Sequence, residues 1–80
     1  MITAKMLRNM MLAKPFKPFR IVMTDGRTFD VPHHDAAFVE QNTLDVGINL
    51  NADGIAEDIA RCAILHIVRV EDMPASAKAA

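Results

Sequence analysis

The 80-residue sequence has no tryptophan and no tyrosine, only four phenylalanines, and a single cysteine. So small an aromatic set offers few platforms on which nucleobases can stack. One thiol, Cys62, excludes an intramolecular disulfide framework and is easiest to reconcile with a reducing compartment. A nucleophilic cysteine needs a neighbouring base and a lowered pKa. The nearest histidine in sequence, His66, aligns with Cys62 on a helix but not on a strand. Cys62 therefore reads as a small buried hydrophobe. No apolar run approaches the ~20 residues of a membrane span, so no transmembrane segment is expected. The first fourteen residues have their apolar positions broken by Lys5, Arg8 and Asn9, which is unlike a secretory leader. Their basic, acid-free character has something of an organelle transit peptide, but they run straight into folded-looking sequence. A cytoplasmic location is expected.

Catalytic patterns are missing as well. No Ser-His-Asp or Cys-His-Asn ordering fits a nucleophilic site in so short a chain. Glu57 and Asp58 are adjacent, so on a strand they point to opposite faces and cannot share a proton. Neither Asp-Gly pair, at Asp25-Gly26 or at Asp53-Gly54, has the further glycines and lysine of a phosphate loop. A non-enzymatic protein is expected, with no cofactor.

About half of the residues are apolar (51%), which is enough for one globular core. A chain this short buries only ~60% of the surface its unfolded form exposes, so one core is all it can build. Net charge is −1, yet residues 1–24 carry five bases (Lys5, Arg8, Lys14, Lys17, Arg20) and no acid, whereas all ten acids follow. Such a split suits a basic arm for an anionic partner, or an arm lying on an acidic body.

At 100° per residue, Ile2, Met6, Leu7, Met10, Met11 and Ala13 share about half of a helical wheel. Lys5, Arg8 and Asn9 fall opposite, and Leu12 is the one misfit. Residues 1–14 are thus expected to form an amphipathic helix that must dock on something, being too short to stand alone. A membrane-surface role is the other use of such a helix. Pro15 and Pro18 stop it. Residues 14–19 form a stiff connector anchored by Phe16 and Phe19; its PxxP spacing also matches ligands of SH3-type grooves.

Phe19–Met23 and Arg27–Val31 flank Thr24-Asp25-Gly26, a hairpin signature. A two-residue loop sets Ile21 against Asp30 and mixes apolar with charged. A three-residue loop, with Gly26 left-handed in a bulge, pairs Ile21 with Phe29 and Phe19 with Val31, and leaves Arg20–Asp30 and Val22–Thr28 on the other face. Only the second register separates core from solvent. Gly26, Phe19, Ile21, Phe29 and Val31 are therefore the structural residues of the hairpin. After Pro32, a third strand is expected at residues 37–40 and a fourth at Leu44–Ile48, followed by a turn over Asn49–Gly54. Residues 54–66 read either as a helix capped by Asp53 or as a strand over Ile55–Ile59 with a tight turn at Ala60-Arg61-Cys62. The β-branched run from Ile64 to Val70 favours the strand reading. Residues 73–80 are expected to be a tail, leaving 15–72 as the folded body.

A short helix followed by about five short strands resembles the small SH3-like and Sm-like barrels. Residues 19–31 look like the first hairpin of the bacterial Sm-like RNA chaperones, and residues 55–70 resemble their last two strands. The resemblance implies a mainly β, five-stranded barrel behind one N-terminal helix. It also implies single-stranded RNA as a ligand, with Arg61-Cys62 standing where the chaperones carry the Lys-His pair that binds uridine. The run Pro15–Ile21, with Asp25-Gly26-Arg27 and Val31-Pro32-His33, is also similar to a group of short uncharacterised bacterial proteins, a likeness that implies no activity. On the RNA reading the contacts are Lys5, Arg8, Lys14, Lys17 and Arg61. His33, His34 and Asp35 set three ligand types side by side, with His66 a distant fourth. Adjacent histidines on an extended chain diverge and lack the i, i+4 spacing of a built site, so these residues read as a solvated loop and no metal is expected. The chief expectation is a non-catalytic protein-interaction or self-assembling domain, a homo-oligomer because so small a barrel leaves strand edges to cover.

Overall fold

A computed structural model describes residues 1–73. The chain opens with helix α1, Ala4–Leu12. Thr3 caps it in an extended conformation, its hydroxyl accepting from the Met6 amide at 3.1 Å, which satisfies one of the helix's orphan donors. Leu7 and Met11 are buried, and Ile2, Ala4 and Met10 pack beside them. Met6, expected on the inner face, is instead 42% exposed: a nine-residue helix touching one side of a small body buries a narrower stripe than half the wheel. Its docking surface is formed by the middle strands of the chain. Phe16 in the connector packs against the core, its ring 6.1 Å from that of the buried Phe19.

Strand β1 (Phe19–Met23) and strand β2 (Thr28–Val31) form the hairpin in the expected register, Phe19 against Val31, Arg20 against Asp30, Ile21 against Phe29 and Val22 against Thr28. The three-residue loop is closed by Met23 N to Arg27 O at 2.8 Å and by Gly26 N to Met23 O at 2.9 Å. Gly26 sits at φ +89°, the left-handed conformation that a residue with a Cβ resists. Phe19, Ile21 and Val31 are essentially inaccessible; Phe29, nearer the loop, is half-buried beneath the Arg27 guanidinium.

Pro32, which has no amide to donate, follows β2, and a turn closed by Ala36 N to His33 O carries the chain to a second sheet. That sheet holds β3 (Ala37–Val39), β4 (Thr43–Ile48) and β5 (Asp58–Ala63) in the order β3-β4-β5. A 3₁₀ turn at Ile64–His66 then leads into β6 (Ile67–Asp72), which returns to the first sheet and completes the order β2-β1-β6. The turn is fixed to both sheets: Ile64 N donates to Asn42 O and Thr24 N donates to His66 O, each at 2.9 Å. All ladders are antiparallel, with one irregularity where β1 passes from Val22 to Met23 opposite β6.

The fold is thus mainly β with one N-terminal helix, as expected, but it has six strands rather than five. They lie in two three-stranded sheets that are not closed into a barrel. The last third also departs from expectation. Residues 54–66 are not a helix, residues 55–57 precede the strand, and β5 runs straight through the supposed turn at Ala60-Arg61-Cys62. The reason lies in small side chains. Ala60 and Cys62 point inward opposite Val46 and Leu44, while Ile59 and Arg61 point outward, so a two-residue alternation exists but is carried by residues of weak strand preference. The apparent alternation from Ile64 is broken by the 3₁₀ turn, which buries Ile64 and leaves Leu65 79% exposed.

Leu7, Phe19, Ile21, Val31, Leu44 and Val46 form the centre of one core shared by helix and both sheets, and no polar or charged residue is buried in it among the described residues. Met73 is buried too, its amide donating to Pro18 O at 3.4 Å. The rest of the expected tail, residues 74–80, lies outside the described residues.

Candidate functional site

The alternation of β4 sends Leu44 and Val46 into the core and Asp45 and Gly47 to the opposite face. Register carries this across the second sheet. Phe38, Asp45 and Arg61 form one transverse row on the outer face, and Gly47 and Ile59 form the next. Phe38 is 65% exposed and Ile59 60% exposed, so two large apolar side chains point into solvent from a sheet whose inner face is already apolar. Gly47 permits a further feature. A Cβ there would stand 3.0 Å from Leu50 Cδ2 and 3.2 Å from the Ala56 methyl, so the bare α-carbon lets the loop after β4 fold back over the outer face. On the other side α1 brings up Leu12, 56% exposed, and Arg8. Between these elements lies a groove of about 630 Å³ lined by Arg8, Leu12, Phe38, Gly47, Ala56 and Ile59.

Polar groups punctuate this face. The Thr43 hydroxyl lies 2.9 Å from Asp45 Oδ1 and 3.3 Å from Glu40 Oε1. Arg61 Nε lies 3.7 Å from Asp45 Oδ2, a loose contact by a side chain that is 73% exposed. Hydrogen bonding with Glu40, then with Thr43, and the nearby Arg61 charge hold the Asp45 carboxyl below its ordinary range against the desolvation that opposes them.

The structure distributes the basic residues expected to contact RNA over two regions. Lys5 and Arg8 are exposed on α1, and Arg61 is exposed on β5 beside Ile59. Arg8 and Arg61 thereby flank the same face. Lys14 and Lys17 are exposed in the connector, and neither lines the groove. His33, His34 and Asp35 occupy an exposed turn, with the His34 ring edge-on to Phe16 at 6.5 Å. His66 lies in the 3₁₀ turn instead. Among the described residues no group of three His, Cys, Asp or Glu side chains could hold a metal ion. Cys62 is 2% exposed and packs in the core, and burial pushes its thiol pKa up. A thiol so placed is a poor nucleophile.

The residues that define the apolar face, Leu12, Phe38 and Ile59, were not singled out by sequence reasoning. One signal was available. Leu12 is the misfit of the helical wheel, an apolar residue on the polar side, and it lines the groove with Arg8 and Met11. Among the described residues no helix is long and apolar enough to cross a membrane. Compared with protein-family models, curated proteins and solved structures, the chain matches none.

Proposed function

We propose that this chain is a non-catalytic, self-assembling protein-interaction domain whose contact surface is the outer face of the second sheet. The observation that carries this reading is the convergence of Leu12, Phe38 and Ile59, each more than half exposed, around one groove. Exposed apolar groups cost about 25 cal/mol per Å² relative to burial, so a contiguous set of them favours association. Strand β5 adds to the argument. It is six residues long and, among the described residues, pairs only with β4, so its other edge can be covered by a second chain. Light scattering across a concentration series tests the function. Self-assembly predicts a mass above the 8.8 kDa of one chain, and a mass of one chain at every concentration overturns it.

A second reading, a single-stranded RNA-binding module, is favoured by the placing of exposed Phe38 on a face flanked by Arg8 and Arg61, since a base can stack on the ring while cations hold phosphates. It predicts oligonucleotide binding at low salt that weakens steeply as salt rises. Flat low-salt titrations overturn it.

A further inference from the structure

The outer face of the second sheet carries both signs of charge around its apolar centre. Arg8 stands on the α1 side of the groove and Arg61 on the β5 side, with Asp45 between them. Glu40 reaches the Thr43 hydroxyl beyond the end of β3. These charges are incompletely used within one chain. Arg8 forms no ion pair among the described residues, and Arg61 makes a long one, its Nε 3.7 Å from Asp45 Oδ2. A polyanion would meet the acids of this face with like charge. A second copy turned through 180° can set its Arg8 or Arg61 against the acids of the first and receive the reciprocal contact, because in a two-fold contact residue i reaches j and j reaches i.

The area agrees with the same occupant. At their exposures Leu12, Phe38 and Ile59, with the partly exposed Leu50 and Ala56 beside them, present roughly 400 Å² of apolar surface. One side of a standard interface buries about 800 Å², a little over half of it apolar. The patch therefore supplies about the apolar share that one side of a stable dimer needs.

We propose that the outer face of the second sheet is a two-fold interface between two copies of this chain. Phe38, Ile59 and Leu12 form its dry centre, and Arg8 and Arg61 lie against the acidic groups of the other copy. This rests on the self-assembly reading and adds to it the surface, the symmetry and the number of chains.

Light scattering on the full chain and on four variants tests it, with circular dichroism confirming that each variant is folded. The wild type is expected at about twice 8.8 kDa. Phe38→Asp and Ile59→Asp, which place like charges against each other across the two-fold axis, are each expected to give a folded single chain. Arg8→Glu is expected to weaken the dimer roughly tenfold. Leu65→Asp alters a still more exposed apolar residue on the 3₁₀ turn, outside the groove, and is expected to leave the mass unchanged. A wild type that stays a single chain at every concentration overturns both this proposal and self-assembly. An oligomer indifferent to Phe38→Asp and Ile59→Asp, one dispersed by Leu65→Asp, or one larger than two chains overturns the two-fold interface and leaves self-assembly standing.

Discussion

The two sheets have inner faces of the same kind and outer faces of opposite kinds. In the first, the outer row runs Asp30, Arg20, Glu71: Arg20 sits between two acids and grips Asp30 through Nε at 2.6 Å and a second nitrogen at 3.1 Å. The bond to Asp30, and then the charge of Asp30, raise the Arg20 pKa. The next row sets Val22 between Thr28 and Arg69, and Val22 is only 8% exposed. In the second sheet the corresponding positions hold Phe38 and Ile59, whose large apolar side chains stand in solvent. The first sheet pairs the charges of its outer row and exposes Val68 alone among its large apolar residues, whereas the second exposes both Phe38 and Ile59. An apolar content of half the chain thus exceeds what one small core takes up, and part of the surplus, Leu12, Phe38 and Ile59, shares one face, while Leu65, Ile55 and Val68 stand elsewhere.

That comparison breaks if the sheets are not one cooperative unit. Phe19→Ala in the first sheet and Leu44→Ala in the second each empty a fully buried site, and each is expected to cost about 3–5 kcal/mol. The whole domain has a stability of order 5–15 kcal/mol, so either loss is a large part of it. Denaturant titration with an unchanged slope checks the result. A cost below ~1 kcal/mol for Leu44→Ala alone, where a cooperative core demands several, shows that the second sheet unfolds apart from the first. The same measurement on Phe38→Ser, made at a concentration where the wild type is a single chain, should move stability by less than ~0.5 kcal/mol, as for any exposed position.

Two glycines sharpen the contrast in a different way. Gly47→Ala pushes a methyl against Leu50 and Ala56, with the Ala36 carbonyl 3.3 Å away on backbone that cannot easily yield. An overpacking cost of about 1–3 kcal/mol is expected, with the loop displaced from the outer face and the groove altered. Gly26→Val, at the hairpin of the first sheet, meets no neighbour within 4 Å and strains only the backbone, at about 1–2 kcal/mol. If the Gly26 variant unfolds at the temperature of the wild type, the left-handed loop does not set the hairpin register.

The first hairpin was legible down to individual pairs because its signals agree: alternating large side chains, an Asp-Gly turn, and one register that separates core from solvent. The helix was legible for the same reason, though its buried stripe is narrower than the wheel suggests. Residues 55–66 were not. There the inward alternation is carried by Ala60 and Cys62, which have little size, whereas the β-branched run expected as one strand from Ile64 to Val70 folds as a 3₁₀ turn over Ile64–His66 and becomes a strand from Ile67. Barrel closure was also beyond the sequence, since it depends on whether neighbouring edges meet and not on any local pattern. The apolar face escaped because the alternation of a strand, read alone, does not say which apolar residues the core has room for. Phe38 and Ile59 became surface only once Ala37, Val39, Ala60 and Cys62 had been assigned to the inside. Leu12 was the exception, visible as a misfit and explained by the groove it lines.

The smallest expected effect compares an acid of each sheet. Asp25, in the loop of the first sheet, has its carboxyl held below the usual range, chiefly by the Arg27 amide, which donates to it at 3.0 Å. Asp45, on the face of the second, is held down first by Glu40, then by Thr43 and Arg61. Both folded values lie below those of the unfolded chain, so each ionised carboxylate stabilises the fold above the unfolded value of roughly pH 4. That contribution disappears as pH falls through the folded value. Asp45→Asn and Asp25→Asn should therefore each flatten the acid side of a plot of unfolding temperature against pH and leave its neutral side nearly parallel to that of the wild type. Each carboxylate also has an exposed guanidinium beside it, Arg27 at 2.8 Å from Asp25 and Arg61 at 3.7 Å from Asp45, so part of both effects should shrink as ionic strength rises. An Asp45→Asn effect unchanged by salt would show that Arg61 does not act on Asp45 in solution, which frees the guanidinium for a contact outside the chain.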